Sequence, residues 1–375
     1  MVSNHKKTRR TKSTCVAVLA SIGLLSGAFV DSSAQAATTT TTSPGQPINS
    51  NFKWVDQDIT FMAGGMKIYG TYRHPVGDPD SVPGVVLIAG SGPTDRNGND
   101  ATESGPFNTI KTLADWLSED GVASLRYDKL GSGKTGVGQY ASDPDAIGIK
   151  PFEQESAAAL NYLAAQKGVN DKLLGVFGHS EGALFALLLD TGHAGKVPPI
   201  HALGLFEPLS SRYLNLISFQ VRAQIAALVQ AGQITKTVAA TVDATLKSVI
   251  MKLRATGKVA PNLPYGLDSL LNLGTAKFLY EADKFDPQAL ARAVDPSTPV
   301  LLTCSNADTQ ITCFEVGRIV NGLFAAGEHY DLVHLTNVDH VLKVDPSGSP
   351  ANYTKNLPFS PVLKAALKKF VQKNL

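Results

Sequence analysis

The stretch GVFGHSEG, residues 175–182, sets a serine between two glycines, with apolar runs on both sides. A solvent loop would not be so apolar, and a helix interior would avoid two glycines, each unfavourable by up to about 1 kcal/mol relative to alanine. A buried strand that ends in a sharp turn, carries Ser180 at its tip and runs straight into a helix explains every position. The chemistry such a serine suggests is nucleophilic attack. A hydroxyl is a poor nucleophile near neutral pH, so it needs a base within hydrogen-bond reach and a third group to orient that base.

The chain offers few candidates for the base. His179 adjoins Ser180, and its side chain is expected to point away from the serine's. His329 and His334 fall within a strand-like run, where burial accounts for them. His340 lies in LTNVDHVLK, in a loop after a strand, and is assigned as the base. The orienting acid should follow the preceding strand, and VLLTCSNADTQIT supplies Asp308 there. The rival, Asp339, neighbours His340, and adjacent residues on an extended loop point apart. An oxyanion would need two backbone N–H donors. Glu181, at the helix start where amides lack partners, is one. Ser91 or Gly92, in the glycine-rich loop SGPTDRNGN, is the other.

The elements that must hold these residues alternate. FKWVDQDITF and MKIYGTYRHP flank Gly64-Gly65 as a hairpin. GVVLIAG, VASLRYD, LLGVFG, HALGLF and TPVLLTC are strands buried on both faces. Apolar positions at helical spacing separate them, such as Ile110, Leu113, Ala114 and Leu117. A proline, suited to a first helical turn, opens another helix at Pro151. The pattern predicts an α/β fold with a mostly parallel sheet and helices on both faces. It breaks at 209–285, which contain no good strand. One stripe there runs Leu214, Ile217, Val221, Ile225, Leu228; another runs Ile234, Val238, Val242, Leu246, Val249, Leu253. This segment reads as a helical cap over the sheet's carboxyl edge, with one stripe expected to line an apolar acyl pocket.

Residues 1–36 have a basic start, an apolar run of about 16 residues and Ala34-Gln35-Ala36, the layout of a cleaved signal peptide. Residues 37–51 read as a Thr/Pro-rich linker, and 52–208 with 286–375 as the core. The full chain carries a formal +2; the leader holds five basic residues and one acid, so the mature chain carries +2 − 4 = −2. No basic surplus remains to hold nucleic acid. No later apolar run reaches membrane-spanning length, no histidine–carboxylate cluster has metal-ligand spacing, and no cofactor is implied. The sequence is silent on oligomeric state. The expected localisation is exported: secreted, periplasmic or at the cell envelope. Of three cysteines, Cys15 leaves with the leader. Cys304 and Cys313 remain, an even pair bracketing Asp308, which predicts a disulfide.

These motifs together resemble the α/β-hydrolase superfamily, and within it the carboxylesterase and serine-aminopeptidase-like branch with a helical cap. LIAGSGPTDRNGN resembles that branch's oxyanion loop, SLRYDKLGSGKTG its next strand and turn, GHSEG its elbow, LLTCSNADTQ its acid loop and NVDHVLK its histidine loop. The resemblance spans about residues 55–375 and is weakest in the cap. The acid loop departs from it by reading Cys304-Ser305-Asn306-Ala307 where a glycine is usual. Asp95, Arg96, Asp128 and Lys129 fall where turn-stabilising ion pairs are expected. The resemblance implies a serine carboxylesterase acting on a small-molecule ester through an acyl-enzyme. The alternatives are an acyltransferase or peptidase with the same triad, or a hydrolase-fold binding protein without turnover.

Overall fold

The structure, a computed structural model, describes residues 53–77, 81–327 and 329–375. The leader and linker expected at 1–51 lie outside the described residues. Eight strands form one sheet in the order β1-β2-β4-β3-β5-β6-β7-β8. β1 (Trp54–Ala63) and β2 (Met66–Pro75) form the antiparallel hairpin, and β2 pairs antiparallel with β4 (Ala123–Tyr127). β3 (Val82–Ile88), β5 (Val169–His179), β6 (Ala202–Phe206), β7 (Val300–Ser305) and β8 (Tyr330–Leu335) continue the sheet in parallel from β4.

Sequence patterning sets the layers. In β1, buried Ile59, Phe61 and Ala63 alternate with exposed neighbours, as in a sheet edge with one wet face. β4, β6 and β7 are buried throughout. On one face α1 (Thr109–Glu119) and α9 (Pro361–Asn374) bring Ile110, Leu113, Leu117, Leu363, Leu367 and Phe370 into one cluster. The other face takes α2 (Lys150–Ala164), α3 (Glu181–Asp190) and α8 (Cys313–Ala326), with a second and larger cluster.

Between β6 and β7 lie α4 (Tyr213–Gln230), α5 (Lys236–Thr256), α6 (Leu273–Ala282) and the short α7 (Pro287–Arg292). The first expected stripe is buried from Leu214 to Ile225, with Leu228 only partly so. The buried stripe of α5 is Val242, Leu246, Ile250 and Leu253, with Val238 and Val249 only partly buried. α7 packs on α8 so closely that a Cβ at Gly322 would meet the Gln288 carbonyl at 2.4 Å. Among the described residues, no helix is long and apolar enough to cross a membrane.

β3 leads back to β4 on one side, and β5 leads on to β6 on the other. The crevice at the carboxyl ends of β3 and β5 is therefore where the strand order reverses, and α/β sheets bind ligands at such points.

Candidate active site

The turn between β5 and α3 explains its own sequence. Ser180 has φ 54° and ψ −118°, a strained conformation for a residue with a side chain. A Cβ at Gly178 would meet the Gly182 carbonyl carbon and oxygen at 2.2 Å, and one at Gly182 would meet the Ile88 carbonyl oxygen at 2.2 Å. Only glycine lets the strand, the helix and β3 approach this closely. The serine is thereby forced to the tip of the turn, buried and facing the crevice.

Asp308 follows β7, and His340 lies in the loop after β8. His340 Nδ1 is 2.7 Å from Asp308 Oδ2, and its Nε2 is 3.0 Å from Ser180 Oγ. Asp308 Oδ1 accepts the N–H groups of Gln310 at 2.7 Å and Ile311 at 3.0 Å. Burial would raise this carboxyl, but the His340 ring and these donors hold it below the usual carboxylate range. With Asp308 ionised, His340 carries its proton on Nδ1 and presents a lone pair to the serine hydroxyl. Ser180, His340 and Asp308 form a Ser-His-Asp triad.

The loops that hold the triad are themselves tied down. Cys304 and Cys313 are joined in a disulfide that closes the Asp308 loop onto the start of α8. Ser305 Oγ donates to the Val338 carbonyl, and Asn337 N–H donates to Asn306 Oδ1 at 2.8 Å, so the acid loop and histidine loop are bonded to each other. Asp339, the rival acid, accepts the Lys343 N–H at 2.8 Å and braces the loop.

No protein-family model matches the sequence, and no curated protein does either. Solved structures do match. Est1E from Butyrivibrio proteoclasticus, with ferulic acid bound, aligns at 18% identity over 84% of this chain and 98% of its own, with a TM-score of 0.51. The acylaminoacyl peptidase of Pyrococcus horikoshii gives 13% identity and a TM-score of 0.53 over 86% of this chain, which spans 42% of that longer protein. An esterase of Pyrococcus furiosus gives 16% identity and 0.50 over 89% of this chain and 96% of its own. The chain has the α/β-hydrolase fold.

Several groups around the triad make contacts between loops that their own motifs do not show. His179 does not stand apart from the site. Its ring lies 5.0 Å from that of His340, and its Nε2–H donates to the His340 carbonyl at 2.7 Å. Burial, with the His340 charge adding to it, pushes His179 down to about 3, so it stays neutral and acts as a fixed donor. Lys129 does more than close the turn after β4. It donates to the Gly90 carbonyl and pairs with Glu181 Oε1 at 3.0 Å, and Tyr213 Oη donates to Glu181 Oε2. This buried set joins the loop after β3 to the residue after the nucleophile. Arg96 meets the expectation of a turn-stabilising pair: its Nη2 is 2.8 Å from Asp128 Oδ2, and its Nη1 donates to the Gly70 carbonyl at 2.7 Å.

The cavity at Ser180 and His340 is lined from the loop after β3, including Ser91, Thr94, Glu103 and Phe107, and from the loop after β8, including Val341 and Tyr353. Neither aliphatic stripe of the helical insert lines it, which corrects the expected acyl wall. The stripes point into the hydrophobic cluster instead. The insert's contribution is Gly274, Thr275 and Phe278, which line an adjacent cavity with Gly92, Pro93, Lys129 and Glu181. His334, expected to be buried, is exposed because β8 is the edge strand; its Nδ1 lies 3.3 Å from Cys304 Sγ. With both sulfurs joined to each other, the trio of Cys304, Cys313 and His334 offers a metal only the imidazole.

Proposed function

We propose that the protein is an exported serine hydrolase that cleaves carboxylic esters of small molecules through an acyl-enzyme. The observation that carries this reading is the continuous hydrogen-bonded line from Ser180 Oγ through His340 to Asp308. Ser180 attacks the ester carbonyl while His340 Nε2 takes its proton. The tetrahedral oxyanion is received by the N–H groups of Glu181 and Ser91. Ser91 is preferred to Gly92 because it lines the cavity that holds Ser180, whereas Gly92 lines the adjacent one. Collapse passes the proton from His340 to the departing alcohol. Water, deprotonated by the same histidine, then releases the acid and restores Ser180. Acyl transfer and peptide cleavage would use the same atoms with a different acceptor or bond.

Export is supported by the disulfide, since such bonds persist in oxidising compartments. The insert between β6 and β7 is read as a cap, at 209–285.

The test is a panel of esters of graded chain length beside aminoacyl amides, run with labelling by a fluorophosphonate. Wild type should label and turn over esters. Ser180→Ala should lose label and at least about 10³-fold in kcat while keeping its fold. Activity within tenfold of wild type in that variant would end the reading, and preference for amides would move it to a peptidase.

A further inference from the structure

A second carboxylic acid stands behind the triad. β6 ends at Phe206, and the next residue, Glu207, takes a left-handed φ of 43° that turns its side chain inward. That side chain is 0% exposed. Its own N–H donates to Thr303 Oγ1 at 3.0 Å, and the Thr303 hydroxyl is 3.3 Å from Glu207 Oε1. Oε2 receives no donor. Beside this carboxyl, with the Thr303 hydroxyl and the Ser305 amide, lies the carboxyl of Asp308.

Two carboxyls in contact can form a hydrogen bond only when one of them holds a proton. The donors decide which. Asp308 accepts from the Gln310 and Ile311 amides and from His340, whereas Glu207 has only the Thr303 hydroxyl and the Ser305 amide beside it. Negative charge therefore settles on Asp308, and the proton stays on Glu207.

We propose that Glu207, in its protonated form, donates a hydrogen bond to Asp308 and so holds the carboxylate that orients His340. Glu207 does not line the substrate cavity and is a positioning residue. Burial, followed by the charge of Asp308, pushes its carboxyl well above the usual range, in agreement with that state. The other titratable groups around the pair bear on Asp308 itself: His179 from β5, His340 and Tyr353 from the chain after β8, and Glu315 from α8. The role also gives the left-handed backbone a reason, since strain of this kind persists where the surroundings fix it.

The inference rests on the triad proposed above, so fluorophosphonate labelling of wild type comes first; failure there would sink the triad and leave Glu207 without a task. With labelling in hand, Glu207→Gln and Glu207→Leu are compared for kcat, KM and the pH profile of kcat/KM, with thermal unfolding to confirm each fold. Glutamine keeps a donor toward Asp308, and leucine keeps bulk without one. The glutamine variant should stay within about threefold of wild type. The leucine variant should lose roughly 10- to 100-fold in kcat with KM little changed, the factor for a lost hydrogen bond to a charged group. The acid limb of the glutamine profile should stay where wild type has it. Equal loss in both variants would reduce Glu207 to packing and overturn the proposal, as would full activity in the leucine variant. A limb moved down by about one unit in the glutamine variant would mean that a negative charge had been removed, and would also overturn it. Should the leucine variant not fold, the limb of the glutamine variant decides alone.

Discussion

The loops at the sheet's carboxyl edge and the helical insert are held by different physics. Each catalytic group at the edge is fixed by contacts a few ångströms long that leave no second arrangement. Gly178 and Gly182 have no room for a side chain, Asp308 has three N–H donors, and the disulfide closes the acid loop. The insert is held by long amphipathic helices with a polar hub at Asp283. That carboxylate takes Arg212 Nη2 at 2.8 Å, Arg254 Nε at 2.8 Å and the Leu214 N–H at 2.8 Å. Aliphatic packing tolerates volume-conserving change, whereas hydrogen-bond geometry at a reacting centre does not. Chemistry should therefore be confined to the edge, and most changes in the insert should register as stability.

The largest effect that would break this contrast lies within the edge itself. Asp308→Asn keeps the shape but favours the wrong tautomer of His340, and should lower kcat by roughly 10³- to 10⁴-fold. Asp339→Asn keeps an oxygen to accept the Lys343 N–H and should stay within about tenfold, the range of one modest hydrogen bond. Steady-state kinetics on one good ester ranks the two. The reverse order would move the orienting acid to Asp339 and undo the donor count at Asp308.

A smaller effect separates edge from insert. Phe107 lines the Ser180 cavity and meets the Tyr353 ring edge-on at 5.7 Å. Phe107→Ala should change the ratio of kcat/KM between short and long esters by about tenfold or more, as removing pocket wall does. Leu253→Ala should leave that ratio alone and destabilise the protein by roughly 2–5 kcal/mol, the usual loss for a buried leucine. If Leu253→Ala moves the ratio instead, the insert shapes the substrate after all.

How much of this was legible in the sequence follows from the range of the forces. The elbow was readable because its constraint is local: glycines at 178 and 182 are demanded by backbone that lies within a few residues or on the next strand. Asp308 and His340 were readable because strand ends are readable. The Cys304–Cys313 pair was too, because one pair remains once the expected leader is set aside, and one pair has one connectivity. Lys129 meeting Glu181, His179 meeting the His340 carbonyl and Glu207 meeting Asp308 were not readable. Those pairings join different loops, and no spacing in the chain announces them. The exposure of His334 was missed because a strand-like run does not say where its strand lies in the sheet, and β8 is at the edge. The role of the insert's stripes was missed because periodicity gives a buried face but not what it is buried against.

The smallest effect tests whether the edge loosens with pH. Glu155 on α2 is buried, and its Oε1 accepts the Leu130 N–H at 2.8 Å, which secures the turn that delivers Lys129 to Gly90 and Glu181. Its Oε2 has no partner. Burial pushes this carboxyl up from 4.5 to about 8, against the lowering effects of the Leu130 amide and Lys129. Between those two values the folded state binds a proton that the unfolded chain has released, so this group makes stability fall as pH rises through the window. Glu155→Gln carries an amide oxygen for Leu130 and cannot ionise. Its melting temperature should fall less than that of wild type across the same window, and the two should converge below the unfolded carboxyl range. Hydrogen exchange should place the difference at the turn after β4 and leave α4 and α5 unchanged. Parallel melting curves for the two proteins from acid to alkaline pH would show that Glu155 titrates alike in the folded and unfolded chain, and that burial beside the oxyanion loop does not hold a proton on it.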